Sequence, residues 1–177
     1  MLISTHIATE YILSEIYINN FNLQGVDSLL ITTFTIVGSL VSDIDGLSGS
    51  QMKDHRKTPF HAPLIWFSFI LIILLFGIFT FNEKMMIYNI MFGFGIFFHL
   101  FLDWLGGRTT GIRIFYPFSQ KQYSLFRHDS QKGAISMFPN RKNIRKYFEF
   151  VKFYFKNKIL VTIEIIINLF AILIWVM

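Results

Sequence analysis

Apolar residues run through this chain in long unbroken stretches instead of alternating with polar ones, and that pattern predicts helices buried on all sides. A hydrocarbon layer of about 30 Å takes roughly 20 apolar residues to cross as a helix. The stretch 62–81 meets that length with no charged residue, 85–105 carries only His99 and Asp103 near its end, and 159–177 carries a single Glu164. Two N-terminal stretches are weaker. Residues 2–18 are helix-like but include His6, Glu10 and Glu15, and 28–41 is short for a full crossing. Both are expected to span with a polar side turned inward; a first helix lying at the membrane interface is the competing arrangement. The expected fold is an all-α, polytopic membrane bundle of about five helices forming a single domain over residues 1–177, with a basic loop at 106–158.

Within that loop, residues 141–158 set Ile144, Tyr147, Phe148, Val151 and Phe155 on one helical face and Lys and Arg on the other. This predicts an amphipathic helix on the membrane surface, drawn to anionic lipid.

Composition agrees: 53% of residues are hydrophobic, 18% aromatic and only 15% charged, too apolar for an ordinary soluble domain of 177 residues. The start of the chain lacks the basic residues of a secretory signal, the first Lys or Arg being Lys53, so the first helix is expected to belong to the mature fold. A net charge of +5 in so apolar a chain argues for loop charges that fix membrane orientation, with membrane lipids and not nucleic acid as partners. If the five segments alternate, every Lys and Arg except Lys84 falls on one side, in 42–61 or 106–158. The positive-inside rule makes that side cytoplasmic in a plasma (inner) membrane.

The unusual polar residues collect on the same side. His6 and Glu10 start the first helix, Asp43 and Asp45 follow the second, His55 and His61 precede the third, and His99 and Asp103 end the fourth. His6 with Glu10 and His99 with Asp103 are i, i+4 pairs, which share one side of a helix. One histidine at a helix end is ordinarily a surface or hydrogen-bonded residue, and Asp103 alone would read as a partner for Arg108. As a set, ionisable groups at membrane depth are too costly to be incidental. They point to a metal site built from His6, Asp43, Asp45, His55, His61, His99 and Asp103. There is no cysteine, so its ligands must be nitrogen and oxygen. Zinc suits them first, with manganese or iron also compatible, as one ion or two.

On these residues the chain resembles the YdjM-like group of membrane-bound, metal-dependent hydrolases, small inner-membrane proteins of bacteria and archaea. The likeness is carried by Gly38-Ser39 through Asp43-Ile44-Asp45, by His55-Arg56 with His61, by His99 and Asp103, and by Thr110-Gly111 and Tyr116-Pro117-Phe118, with His6 near the start. Ser42 stands where the family usually has Pro, and one more residue separates the two histidines of 55–61, leaving open which of them binds the ion. The resemblance implies a metal-dependent hydrolase.

A bound ion of this kind activates water near neutral pH. Asp45 or Glu10 is the expected acceptor of the water proton, and Arg56, Lys57 and Arg113 are the expected holders of an anionic headgroup. A site at a membrane face suggests a lipid or lipid-linked phosphoester. The alternatives from other classes are a divalent cation or proton transporter, in which the same residues line a path, and a non-catalytic adaptor whose metal only holds helices together. No His-Glu-x-x-His, Gly-x-Ser-x-Gly or phosphate-binding Gly-x-x-x-x-Gly-Lys motif is present.

Overall fold

The structure, a computed structural model, describes residues 1–48, 56–80, 82–107, 109–126, 129, 131–132 and 144–177. Among these it is all-helical, with α1 (Ile3–Phe21), α2 (Val26–Val41), α3 (Pro63–Thr80), α4 (Glu83–Leu105), α5 (Ile144–Tyr154) and α6 (Lys158–Val176). Short 3₁₀ turns occupy Ile44–Ser48 and Pro59–His61. Three helices, α3, α4 and α6, are long and apolar enough to cross a membrane. The five apolar stretches of the sequence each become one helix, and the amphipathic stretch becomes α5.

Local chemistry sets the boundaries. The α1 helix continues past residue 18 to Phe21, where Asn22 takes the left-handed conformation (φ 51°) and its N–H closes on the carbonyls of Ile18 and Asn19. At α4 the Asn82 side chain accepts from Met85 N, and at α6 the Asn157 side chain accepts from Leu160 N. These caps satisfy amides that hydrophobicity alone does not account for.

Helices α2 and α4 form the closest pair. A Cβ placed on Gly38 would overlap the Phe92 carbonyl oxygen, and one on Gly95 would overlap that of Thr35, so the two backbones touch where each lacks a side chain. Two residues earlier on α4, Gly93 faces the other way, onto the Ile70 side chain of α3.

Large apolar side chains mostly face outward. Helix α3 buries only Trp66, Ile70 and Gly77, whereas Phe67, Ile72, Phe76 and Phe79 are exposed. Inside, Trp66, Ile70, Ile96 and Leu100 pack with Ile112, which the connecting segment after α4 folds back onto the bundle. Ile112 and Tyr123 exchange backbone hydrogen bonds as an antiparallel bridge, and Leu125 N donates to Trp104 O, pinning that segment over one end of the bundle.

On α5, Ile144, Phe148 and Phe155 just beyond it are exposed, while Phe150 is buried and stacks near Tyr147 and Tyr154. Glu164 of α6 is buried and accepts from Leu2 N at 3.0 Å and Tyr154 Oη at 2.6 Å, so it ties the starts of α1 and α6 to the end of α5.

Candidate metal centre

The site forms where α1 and α3 begin and α2 and α4 end. Helix α4 presents His99 and Asp103 one turn apart on its buried face, with 1% exposure each. Asp43 follows the last turn of α2, and His61, fully buried, closes the 3₁₀ turn ahead of α3. One ligand atom from each of Asp43, His61, His99 and Asp103 lies within 4.8 Å of all the others, which makes a possible metal-binding cluster.

The four nitrogen-to-oxygen edges of that cluster have the size of a coordination shell. His61 Nε2 is 3.3 Å from Asp43 Oδ1 and 3.5 Å from Asp103 Oδ2, and His99 Nε2 is 3.4 Å and 3.8 Å from the same two atoms. Four ligands at zinc-to-nitrogen and zinc-to-oxygen bond lengths sit at tetrahedron corners about 3.3 Å apart. Among the described residues, His99 Nε2 and Asp103 Oδ2 are buried and have no hydrogen-bond partner. Buried polar atoms are ordinarily partnered, so inward-facing donor atoms like these fit an ion.

Around the four stands a supporting layer. The His6 ring stacks on that of His99 with centroids 4.0 Å apart, and its Nε2 lies 3.5 Å from Asp103 Oδ1. The Arg56 guanidinium donates to Asp103 Oδ1 at 2.5 Å and to Thr110 O at 3.0 Å, and the Met1 amino group lies 3.0 Å from the same carboxylate oxygen. Ser39 Oγ and His99 Nδ1 are 3.3 Å apart, which fixes the ring from behind. Asp45 accepts from Thr58 Oγ1 at 2.5 Å, and its Oδ2 is 3.9 Å from His61 Nδ1, on the side of the ring away from the cluster.

Two groups outside the membrane-crossing helices have shifted protonation. Burial opposes charge on Asp43, but the facing imidazoles of His61 and His99 outweigh it and hold the carboxyl well below the usual range. Burial likewise works against a charged His61, yet the Asp103 and Asp43 carboxylates prevail and push its pKa up to about 9. In the absence of an ion, His61 carries the positive charge that the two carboxylates require.

Of the residues expected from the sequence, Asp43, His61, His99 and Asp103 come together, while His6 and Asp45 stand behind them. Glu10 lies outside the four-residue cluster. It is fully buried on the His6 face of α1, and neither carboxyl oxygen has a hydrogen-bond partner among the described residues. Arg56 turns inward, its Nη donors taken by Asp103 and Thr110, and Arg113 donates through Nη1 to Lys57 O. His55, with Arg108 and His128, lies outside the described residues. Sequence reasoning missed the Asp103 partnership with Arg56, since it weighed only Arg108 as a cationic partner and no spacing signal joins 56 to 103.

An apolar helical bundle with an acid and imidazole cluster at one end defines a membrane protein with a candidate metal centre. The chain belongs to the YdjM inner membrane protein family, whose model matches residues 1–177, the whole chain. No curated protein and no solved structure matches it.

Proposed function

We propose that the protein is a membrane-bound, metal-dependent hydrolase whose ion, zinc in the first instance, is held by Asp43, His61, His99 and Asp103. The observation that carries this reading is the edge length of the cluster, 3.3–3.8 Å between imidazole nitrogens and carboxylate oxygens, set against a tetrahedral zinc shell. A divalent ion in such a shell lowers the pKa of water to near neutrality and polarises an ester oxygen.

The chain's own residues supply the rest. His6, through its contacts with Asp103 and His99, and Arg56, through Asp103, hold the ligands in place. Asp45 orients His61 and, with Glu10, is a candidate for accepting the proton of the attacking water. Lys57 and Arg113 face an anionic headgroup. We assign five crossings to α1, α2, α3, α4 and α6, with α5 on the membrane surface and the site on the cytoplasmic side. That orientation rests on the basic residues that flank the site, Lys84 alone lying at the other end.

The test is metal analysis of detergent-purified protein beside His99→Ala and Asp103→Ala, with hydrolysis of chromogenic phosphomonoesters, phosphodiesters and carboxylic esters measured before chelation, after it, and after zinc is restored. Wild type is expected to carry about one ion per chain and to lose turnover with it. Equal metal content in all three proteins would overturn the metal site, and metal without turnover of any ester would leave only a structural ion.

A further inference from the structure

A cleft of about 270 Å³ opens beside the turn that carries His61, lined by Pro59, Phe60, Ile65, Trp66 and Phe69. Phe60, Ile65 and Phe69 are exposed, and Phe69 meets the Trp66 indole edge-on at 5.8 Å. The indole N–H donates to Phe60 O at 2.7 Å, so the one polar group in the aromatic wall is already satisfied. The remaining surface suits hydrocarbon. Its position on the first turns of α3, a helix with no charge, sets it at the depth where acyl chains meet headgroups.

A cation stands at the other end of the same turn. Arg113 donates through Nη1 to Lys57 O, two residues before Pro59, while its Nε–H is buried and has no acceptor among the described residues. The guanidinium of this half-buried arginine lies 5.9 Å from the Tyr116 ring centroid; a spare Nε–H suits an anion, and arginine's fork matches phosphate and carboxylate geometry. Residues 57–61 therefore receive the Arg113 donor at Lys57 O, line the apolar cleft with Pro59 and Phe60, and supply the cluster ligand His61.

We propose that the cleft holds the hydrocarbon tail of an anionic amphiphile whose headgroup is met by Arg113, making an anionic lipid or lipid-linked ester the substrate class of the site. The claim that the headgroup is hydrolysed rests on the reading above; the tail subsite and its preference for anions do not. Inside a bilayer a tail gains little by leaving other tails for an apolar cleft. The cleft thus positions, and the headgroup charge selects.

Trp66 reports on the cleft once Trp104 and Trp175, the other two of the three tryptophans, are replaced by Phe. Wild-type sequence in this background is reconstituted in phosphatidylcholine vesicles containing either chain-brominated phosphatidic acid or chain-brominated phosphatidylcholine at equal mole fraction. Quenching of Trp66 is expected to show an enrichment of the anionic lipid of about fivefold, the order expected for one basic residue near a membrane surface. Arg113→Gln should abolish that preference and Arg113→Lys should keep part of it. Dodecyl phosphate should displace the brominated lipid where inorganic phosphate does not.

Equal quenching by the two lipids would mean ordinary boundary lipid and would overturn the proposal, with no Arg113 variant needed. Displacement by inorganic phosphate as effective as by dodecyl phosphate would also overturn it, leaving an anion site without a tail. Metal content measured on the same vesicles separates the outcomes. A preference for anionic lipid in protein that binds no metal would remove the hydrolase and keep the tail subsite.

Discussion

The two ends of the bundle both pair acid with base, and they do so in opposite surroundings. At one end Asp103 is held by Arg56, with His6, His61 and the Met1 amino group close by, and its side chain is 2% exposed. At the other, Asp27 at the start of α2 meets Lys84 at 2.9 Å and accepts from Tyr88 Oη at 2.7 Å, with the lysine side chain 70% exposed. Water screens the second group and stands in for any partner removed. The first group has been taken out of water, so each charge depends on the others being present. An ion pair on this protein is informative about function only where the surroundings cannot replace it.

The sharpest way to break this contrast is Asp103→Ala. It leaves the Arg56 guanidinium buried without its counter-charge, a loss of about 3–5 kcal/mol for a broken buried pair, together with the loss of bound metal. Thermal unfolding in detergent and metal analysis should both register it, and an unchanged melting point would mean that the site end tolerates charge as the far end does. Asp45→Asn should be milder. It removes a charge behind His61 and not a member of the cluster, so zinc affinity is expected to fall by about 10–100-fold with the fold intact, read from competition with a chromophoric chelator.

Protonation gives the next contrast. His61 has its pKa raised to about 9 from the ordinary histidine value of 6.5, so its ion pairs contribute in full to metal-free stability below pH 6.5 and are lost as the pH rises through 9. Metal must displace that proton. Zinc affinity should therefore climb by up to about tenfold per pH unit between 6.5 and 9 and then flatten, the reverse of the trend in metal-free stability. Parallel trends in titrations of the two forms would contradict the proton's placement on His61. The smallest effect is expected from Asp27→Asn, which should leave metal content unchanged and barely move the melting point.

Hydrophobicity made α3 and α6 legible from the sequence because their side chains face outward and the pattern is the surface itself. It made α1 hard to read for the same reason. Four of the six residues that α1 buries are Thr5, His6, Glu10 and Ser14, so the helix closest in character to the site is the one whose apolar content is diluted. The pairing of His99 with Asp103 could be seen because both lie on one helix at a fixed repeat. Arg56 with Asp103, Thr58 with Asp45 and the His6 stack on His99 join segments far apart in the chain, and their meeting depends on helix lengths and crossings that no local pattern encodes. The role of Glu164 is hidden in the sequence for the same reason; its partners, Leu2 N and Tyr154, come from two other segments. Caps displaced the helix ends by a few residues, since Asn22, Asn82 and Asn157 act through backbone amides and carbonyls.

The bare contact of α2 on α4 at Gly38 and Gly95 works as the fulcrum of the whole assembly. Asp43 lies five residues along from one glycine and His99 four from the other, so the gap between the helices at the crossing sets the gap between these two ligands. A methyl group introduced there would collide with a backbone carbonyl of the facing helix, lever the jaws apart and weaken the grip on an ion that the methyl itself never meets.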